Sequence, residues 1–128
     1  MNNSLDEARR FLPLARDDAA AFQALSAMPH IRLALAFFHA QQALEKSLKA
    51  VLLTQGVVFR RTHDLFELAD QLAQAGCALP VALDDLAGIT PYAVEYRYGE
   101  EMLPGSDVAW VAQLLVVVLD WTQAQVGN

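Results

Sequence analysis

Residues 37–53, FFHAQQALEKSLKAVLL, constrain the fold most strongly, because apolar side chains recur there every three or four positions. This spacing predicts an α-helix, and at about 100° per residue its side chains divide into three faces. They are an apolar stripe of Leu33, Phe37, Ala40, Leu44, Leu48 and Val51, a small-residue face of Ala36, Ala43, Ser47 and Ala50, and a polar face of His39, Gln42, Glu45, Lys46 and Lys49. A surface helix buries one face. This helix has two faces suited to burial, the apolar stripe and the small-residue face, so it is predicted to lie at the centre of a bundle.

The rest of the chain also predicts helices, and no segment shows the alternating pattern of a strand. Helical periodicity places them at about residues 5–27, 30–55, 63–74, in a fourth segment that opens at Pro80, and at 107–126. We expect the first and third helices on the apolar stripe of the central helix and the last helix on its small-residue face. The predicted fold is an all-α, up-and-down bundle of four to five helices, with residues 1–128 forming a single domain.

Residues that begin and end helices support these boundaries. Ser4, Thr62 and Ser106 are suitable N-caps, because a short polar side chain can accept from the first free backbone N–H groups. Gly56 is the expected stop of the central helix. Pro13 lies inside the first helix, where it should kink the helix or delay its start.

Charge is distributed unevenly along the chain, whose net charge of −6 argues against tight, non-specific nucleic-acid binding. Residues 29–63 carry five basic side chains and one acidic side chain, whereas residues 64–128 carry ten acidic side chains and one basic. Two interpretations follow: the basic zone holds an anion, or it pairs with acidic helices of its own bundle.

The compartment is predicted from the single cysteine, Cys77, which excludes an intramolecular disulfide and fits a reducing environment. The first ten residues lack the apolar region of a signal peptide, and the apolar residues 108–119 are too few to span a bilayer. We therefore expect a soluble, cytoplasmic protein that does not associate with a membrane.

Nothing in the sequence predicts a metal or a cofactor. Nucleotide-binding and hydrolase motifs are absent, the three histidines are widely spaced, and no Glu-x-x-His pair occurs. Two polar groups remain as candidate sites: the polar face of the central helix and the run Glu95-Tyr96-Arg97-Tyr98. Each also has a structural interpretation, as surface ion pairs such as Glu45 with Lys49 or as tyrosines packed on the core.

Three segments in this order, AFFHAQQALEKSLKAVLL, RTHDL and YAVEYRYG, resemble the HEPN domain family over roughly residues 5–120. One departure is Gly99, where the family usually has proline. The resemblance implies a helical bundle, often a homodimer, which works with a small nucleotidyltransferase encoded nearby as a toxin–antitoxin-like pair. It also implies a nucleotide or RNA as ligand, with these binding residues: His39, Gln42, Lys46, Lys49, His63 and Arg97.

Some HEPN domains are metal-independent ribonucleases, in which four to six residues separate an arginine from a following histidine near the start of the last core helix. In such a site the histidine moves protons and the arginine stabilises charge on phosphorus. After Arg97 the histidine positions hold Met102, Leu103 and Pro104, so the motif is missing. Arg32 and His39 have the spacing in another helix, about 20° apart on one face.

Two functional hypotheses therefore stand. The leading one is a non-catalytic HEPN-type module that dimerises and binds a partner protein, with a nucleotide as an additional ligand. The alternative is a ribonuclease of toxin type that uses Arg32 and His39 as catalytic residues.

Overall fold

The computed structural model describes residues 3–93 and 107–127. The helices within these residues are α1 (Asn3–Ser26), α2 (Leu33–Thr54), α3 (Leu65–Gln74), α4 (Leu83–Ala87) and α5 (Val108–Val126), with a 3₁₀ turn at Thr90–Ala93. The described residues contain no strand, and the predicted all-α fold is confirmed. None of the described helices combines the length and apolar character that crossing a membrane requires.

Helix α2 is the centre of the bundle, as predicted, because it contacts α1, α3, α5 and the 3₁₀ turn. Its apolar stripe supplies side chains with no exposed surface, among them Phe37 and Leu44. The Phe37 ring lies between Phe22 of α1 and Tyr92 of the 3₁₀ turn, with ring centroids 5.8 and 5.1 Å away. Burial of these large apolar surfaces is the main stabilising contribution to the core.

The small-residue face of α2 receives two helices rather than the last helix alone. Ala50 lies in one buried cluster with Ala8 of α1 and Val126 of α5. Because an alanine side chain is a single methyl group, the neighbouring helices can approach α2 closely at this level.

The observed helix starts differ from the predicted N-caps. Asp64, not Thr62, caps α3, and its carboxylate accepts from the backbone N–H of Phe66 and of Glu67. Thr62 instead accepts from the Asp64 N–H at 3.0 Å and so shapes the turn before the helix. Helix α1 already includes Ser4, which is therefore not its N-cap.

Two further positions concern helix continuity and termination. Helix α1 begins at Asn3 and continues through Pro13, so of the two effects predicted for this proline, a kink or a delayed start, the delayed start is wrong. Gly56 follows the C-cap of α2 with a φ of 72°, a left-handed conformation that favours glycine, as its predicted role requires. Asp107 caps α5 by accepting from Trp110 N–H, and the predicted cap Ser106 lies outside the described residues.

Candidate functional site

The polar face of α2 carries two separate groups of charged side chains, each built around one carboxylate. In both groups a histidine Nδ1 contacts one carboxylate oxygen and a lysine ammonium contacts the other. The two groups are the Asp18 cluster, which is Asp18, His39 and Lys46, and the Glu45 cluster, which is Glu45, Lys49, His63 and Gln41.

The Asp18 cluster joins α1 to α2. Nδ1 of His39 lies 3.0 Å from Oδ1 of Asp18, and Nζ of Lys46 donates to Oδ2. The carboxylate is mostly buried between the helices, while His39 and Lys46 keep about a quarter of their side-chain surface exposed. The ammonium of Lys46 is thus already neutralised by a carboxylate of the same chain.

The Glu45 cluster joins α2 to the segment that precedes α3. Nζ of Lys49 donates to Oε2 of Glu45 at 2.8 Å, and Nδ1 of His63 lies 2.9 Å from Oε1. The Gln41 amide donates to Oε1 and also to the backbone carbonyl of His63, each at 3.0 Å. His63 is therefore held through both its ring and its backbone, although its side chain is 67% exposed.

Glu45 itself is 7% exposed, and its environment keeps it ionised. Burial raises the pKa of the Glu45 carboxyl, but the hydrogen bonds from Lys49, His63 and Gln41 together outweigh burial and leave the pKa below its ordinary value. A buried carboxylate that accepts from three donors is satisfied and fixed in position. It can orient His63 and leave the other ring nitrogen, Nε2, facing outward.

The predicted ligand-binding residues are divided between these two clusters. His39 and Lys46 belong to the Asp18 cluster, and Lys49 and His63 to the Glu45 cluster. Gln42 donates to the Gln41 side-chain oxygen at 2.7 Å and so lies beside the second cluster. Arg97 lies outside the described residues.

The residues of the ribonuclease hypothesis are not both helical. Arg32 is the N-cap of α2, with an extended backbone at φ −65° and ψ 134°, whereas His39 lies two turns inside the helix. The angle of about 20° assumes helical backbone at both positions. It therefore does not describe the relation between these two side chains.

Sequence reasoning missed Asp18 and Gln41. Asp18 is 28 residues from Lys46 in the chain, and no local pattern links the two. Gln41 carried a signal, because a glutamine stands between apolar positions of the stripe, where the structure buries it completely. A polar side chain at such a position requires a specific hydrogen-bond partner.

A groove between α1 and α5 lies apart from both clusters. It has a volume of about 430 Å³ and is lined mainly by apolar side chains, among them Phe22 and Ala19 of α1 and Leu115, Val116 and Leu119 of α5. Val116, which lines this groove, is 53% exposed. Arg16 lies at the rim, where its guanidinium donates to Gln123 at 2.8 Å.

The sequence model of the HEPN domain matches residues 3–109, which are most of the 128 residues. The chain belongs to the HEPN domain family. No curated protein and no solved structure matches this HEPN chain. Within the described residues, no three histidine, cysteine, aspartate or glutamate side chains lie close enough together to hold a metal ion.

Proposed function

We propose that this HEPN chain is a non-catalytic helical module that dimerises and binds a partner protein. The partner is the small nucleotidyltransferase that the family resemblance leads us to expect, in a toxin–antitoxin-like pair. The two lysines support protein binding over nucleotide binding, because each is already paired with a carboxylate. A nucleotide phosphate at Lys46 or Lys49 would have to displace Asp18 or Glu45. Protein binding is therefore the primary role, and a nucleotide is a secondary ligand.

The observation that carries dimerisation is the outer face of α5. Helix α5 contains one charged residue, Asp120, and it presents the exposed side chains of Ala112 and Val116 at the groove with α1. Soluble monomers rarely expose contiguous apolar patches of this kind. Asp120 lies one turn after Val116 on this face, and it is the only charge that α5 contributes, so two copies can meet there around a two-fold axis despite a net charge of −6 each.

Light scattering after size exclusion tests the dimer. The expected mass is twice the 14.1 kDa of one chain, and Val116→Glu should give a monomer because it places a carboxylate in the apolar contact. Met28→Glu is the matched control, since Met28 is 50% exposed after α1 and should leave the mass unchanged. If the wild type is a monomer, or if Val116→Glu remains a dimer, this face of α5 is not the dimer interface.

Co-expression with a nucleotidyltransferase encoded beside the gene tests the partner. We expect both proteins to co-purify in a fixed ratio through affinity and size-exclusion steps. A protein that neither dimerises nor retains this partner would remove the proposal.

A second candidate function is RNA cleavage, and one contact favours it. Asp18 accepts from Nδ1 of His39 at 3.0 Å, an arrangement that orients an imidazole for proton transfer at Nε2. Single-turnover cleavage of RNA by the wild type and by His39→Ala separates the two functions. Equal rates would eliminate His39 as a proton-transfer residue.

A further inference from the structure

Residues 57–63 connect α2 to α3, and they are tied to the bundle at several points although much of their surface is exposed. At the start, Val57 N–H donates to the Leu52 carbonyl at 2.9 Å. In the middle, the Arg60 guanidinium makes two hydrogen bonds to the Glu67 carboxylate, at 2.6 and 2.7 Å. At the end, Gln41 and Glu45 hold His63. The segment is ordered in advance, which lowers the entropic cost of binding to it.

This connecting segment displays an apolar side chain that the fold does not use. Val58 is 94% exposed, more than any other large apolar side chain among the described residues. Beside it, Val57, Phe59 and Leu53 line a groove of about 330 Å³, closed on the other side by Ser4 and Glu7 of α1. A fixed segment whose exposed Val58 lines this groove together with Val57 and Phe59 fits an extended segment of another protein.

Within the described residues of this segment, the charged side chain without a partner is a hydrogen-bond donor. Three nearby carboxylates are already engaged: Glu67 with Arg60, Asp64 with the first N–H groups of α3, and Glu45 with Lys49 and His63. The carboxylate of Glu7 lies on the far side of the groove, on α1. Among the described residues, the Arg61 guanidinium has no hydrogen-bond partner. Arg61 is exposed and always charged, so it suits a carboxylate of the binding partner.

We propose that residues 57–63 are the docking surface for an acidic, apolar segment of the partner protein. An apolar side chain of that segment fills the groove beside Val58, and a carboxylate next to it pairs with Arg61. The carboxylate of the partner segment lies beside Arg61 and not in the groove, because Glu7 lines the groove and would repel it. RNA is the weaker candidate, since Arg60 is occupied by Glu67 and the chain carries a net charge of −6. The inference rests on the proposed partner binding.

Titration calorimetry with the purified nucleotidyltransferase tests this surface. Arg61→Glu and Val58→Ser should each weaken binding at least about tenfold, as expected for a charged contact and an apolar contact at the centre of an interface. Arg9→Glu and Met28→Ser are the matched controls at exposed positions and should change the affinity less than about twofold. All four side chains are exposed, and unchanged circular dichroism confirms that each variant folds.

The outcomes separate this inference from the proposed function. If the wild type does not bind the nucleotidyltransferase, partner binding itself fails and this surface fails with it. If the wild type binds and both connecting-segment variants bind equally well, only this surface is wrong. If Val116→Glu is the only variant that loses binding to the nucleotidyltransferase, the partner interface lies on α5 and not on residues 57–63. Binding of a fluorescein-labelled 12-residue polyuridine that depends on Arg61 would overturn the protein segment in favour of RNA.

Discussion

At Glu45, one buried carboxylate connects three parts of the chain. Its pairing with Lys49 is predictable from the sequence, because the two residues are four apart on one helix face. Its contact with His63 spans 18 residues and depends on how the segment before α3 returns to α2. Local spacing therefore predicts half of this cluster, and the tertiary fold determines the other half.

The acid sensitivity of the fold should depend on Glu45. Its pKa is lower in the folded chain than in the unfolded chain, so its stabilising contribution is present above the unfolded pKa and is lost as pH falls through the folded pKa. At neutral pH, Glu45→Gln should lower the free energy of unfolding by about 2 kcal/mol. Urea denaturation from pH 7 to pH 3 should show the two proteins converging at the acidic end.

Asp120→Asn provides the control for this pH series. Asp120 is exposed on α5 and has no hydrogen bond among the described residues. The free energy of unfolding of Asp120→Asn should therefore change with pH as that of the wild type does. A constant difference between wild type and Glu45→Gln across the whole pH range would show that ionisation of Glu45 is not the cause.

At the scale of the helices, the sequence predicted the five α-helices, misplaced some of their ends and did not predict the 3₁₀ turn at Thr90–Ala93. Periodicity follows from burial of one face, which is why α2 and α5 are recognisable from their apolar residues. Helix starts depend on which of several polar residues reaches the free N–H groups, and at α3 the carboxylate of Asp64 does so while Thr62 supports the turn. Aspartate is the stronger N-cap residue of the two types, so the residue type already favoured Asp64 over Thr62.

The end of α2 gives a test of backbone conformation. Gly56 has a φ of 72°, and a Cβ added there would meet no atom within 4 Å, so only conformational strain opposes a side chain. Gly56→Ala should therefore lower the free energy of unfolding by about 1 kcal/mol. Gln55→Ala is the control, since Gln55 has a φ of −81° that alanine adopts freely. Thermal unfolding followed by circular dichroism should show a lower midpoint for Gly56→Ala alone.

The contact between α1 and α2 gives a second test at this scale. Lys46 and Asp18 form an ion pair that is mostly removed from solvent, so its two partners should contribute to stability jointly. A double-mutant cycle with Asp18→Asn and Lys46→Met should give a coupling energy of about 1 kcal/mol in urea denaturation. The same cycle with Asp18→Asn and Lys49→Met should give almost none, because Lys49 pairs with Glu45. Equal coupling in both cycles would contradict the division into two clusters.

At the scale of the whole molecule, the apolar stripe predicted the core and three sequence segments predicted the family, whereas the surfaces could not be predicted. The groove between α1 and α5 arises from two helices at opposite ends of the chain. Val58 and Arg61 become a surface only because Glu67, Gln41 and Glu45 fix the segment that carries them. Apolar periodicity records what a helix buries, and it contains no information about which exposed side chains are held rigid.

The last prediction concerns the stability of the core around Phe37. Phe37 has no exposed surface and packs against rings from α1 and from the 3₁₀ turn, so Phe37→Ala removes contacts that several elements share. The expected loss in the free energy of unfolding is about 4 kcal/mol. Phe66→Ala makes the same chemical change on α3 at a side chain that is 38% exposed, and it should cost less than about 1 kcal/mol.

Urea denaturation monitored by circular dichroism and by tryptophan fluorescence distinguishes a shared core from a local one. Circular dichroism reports all helices, whereas both tryptophans, Trp110 and Trp121, lie on α5. If α2 organises the entire bundle, Phe37→Ala should move both midpoints together, since α5 cannot remain folded without α2. A fluorescence midpoint that stayed at the wild-type value while the circular dichroism midpoint fell would show that α5 is stabilised independently of the Phe37 core.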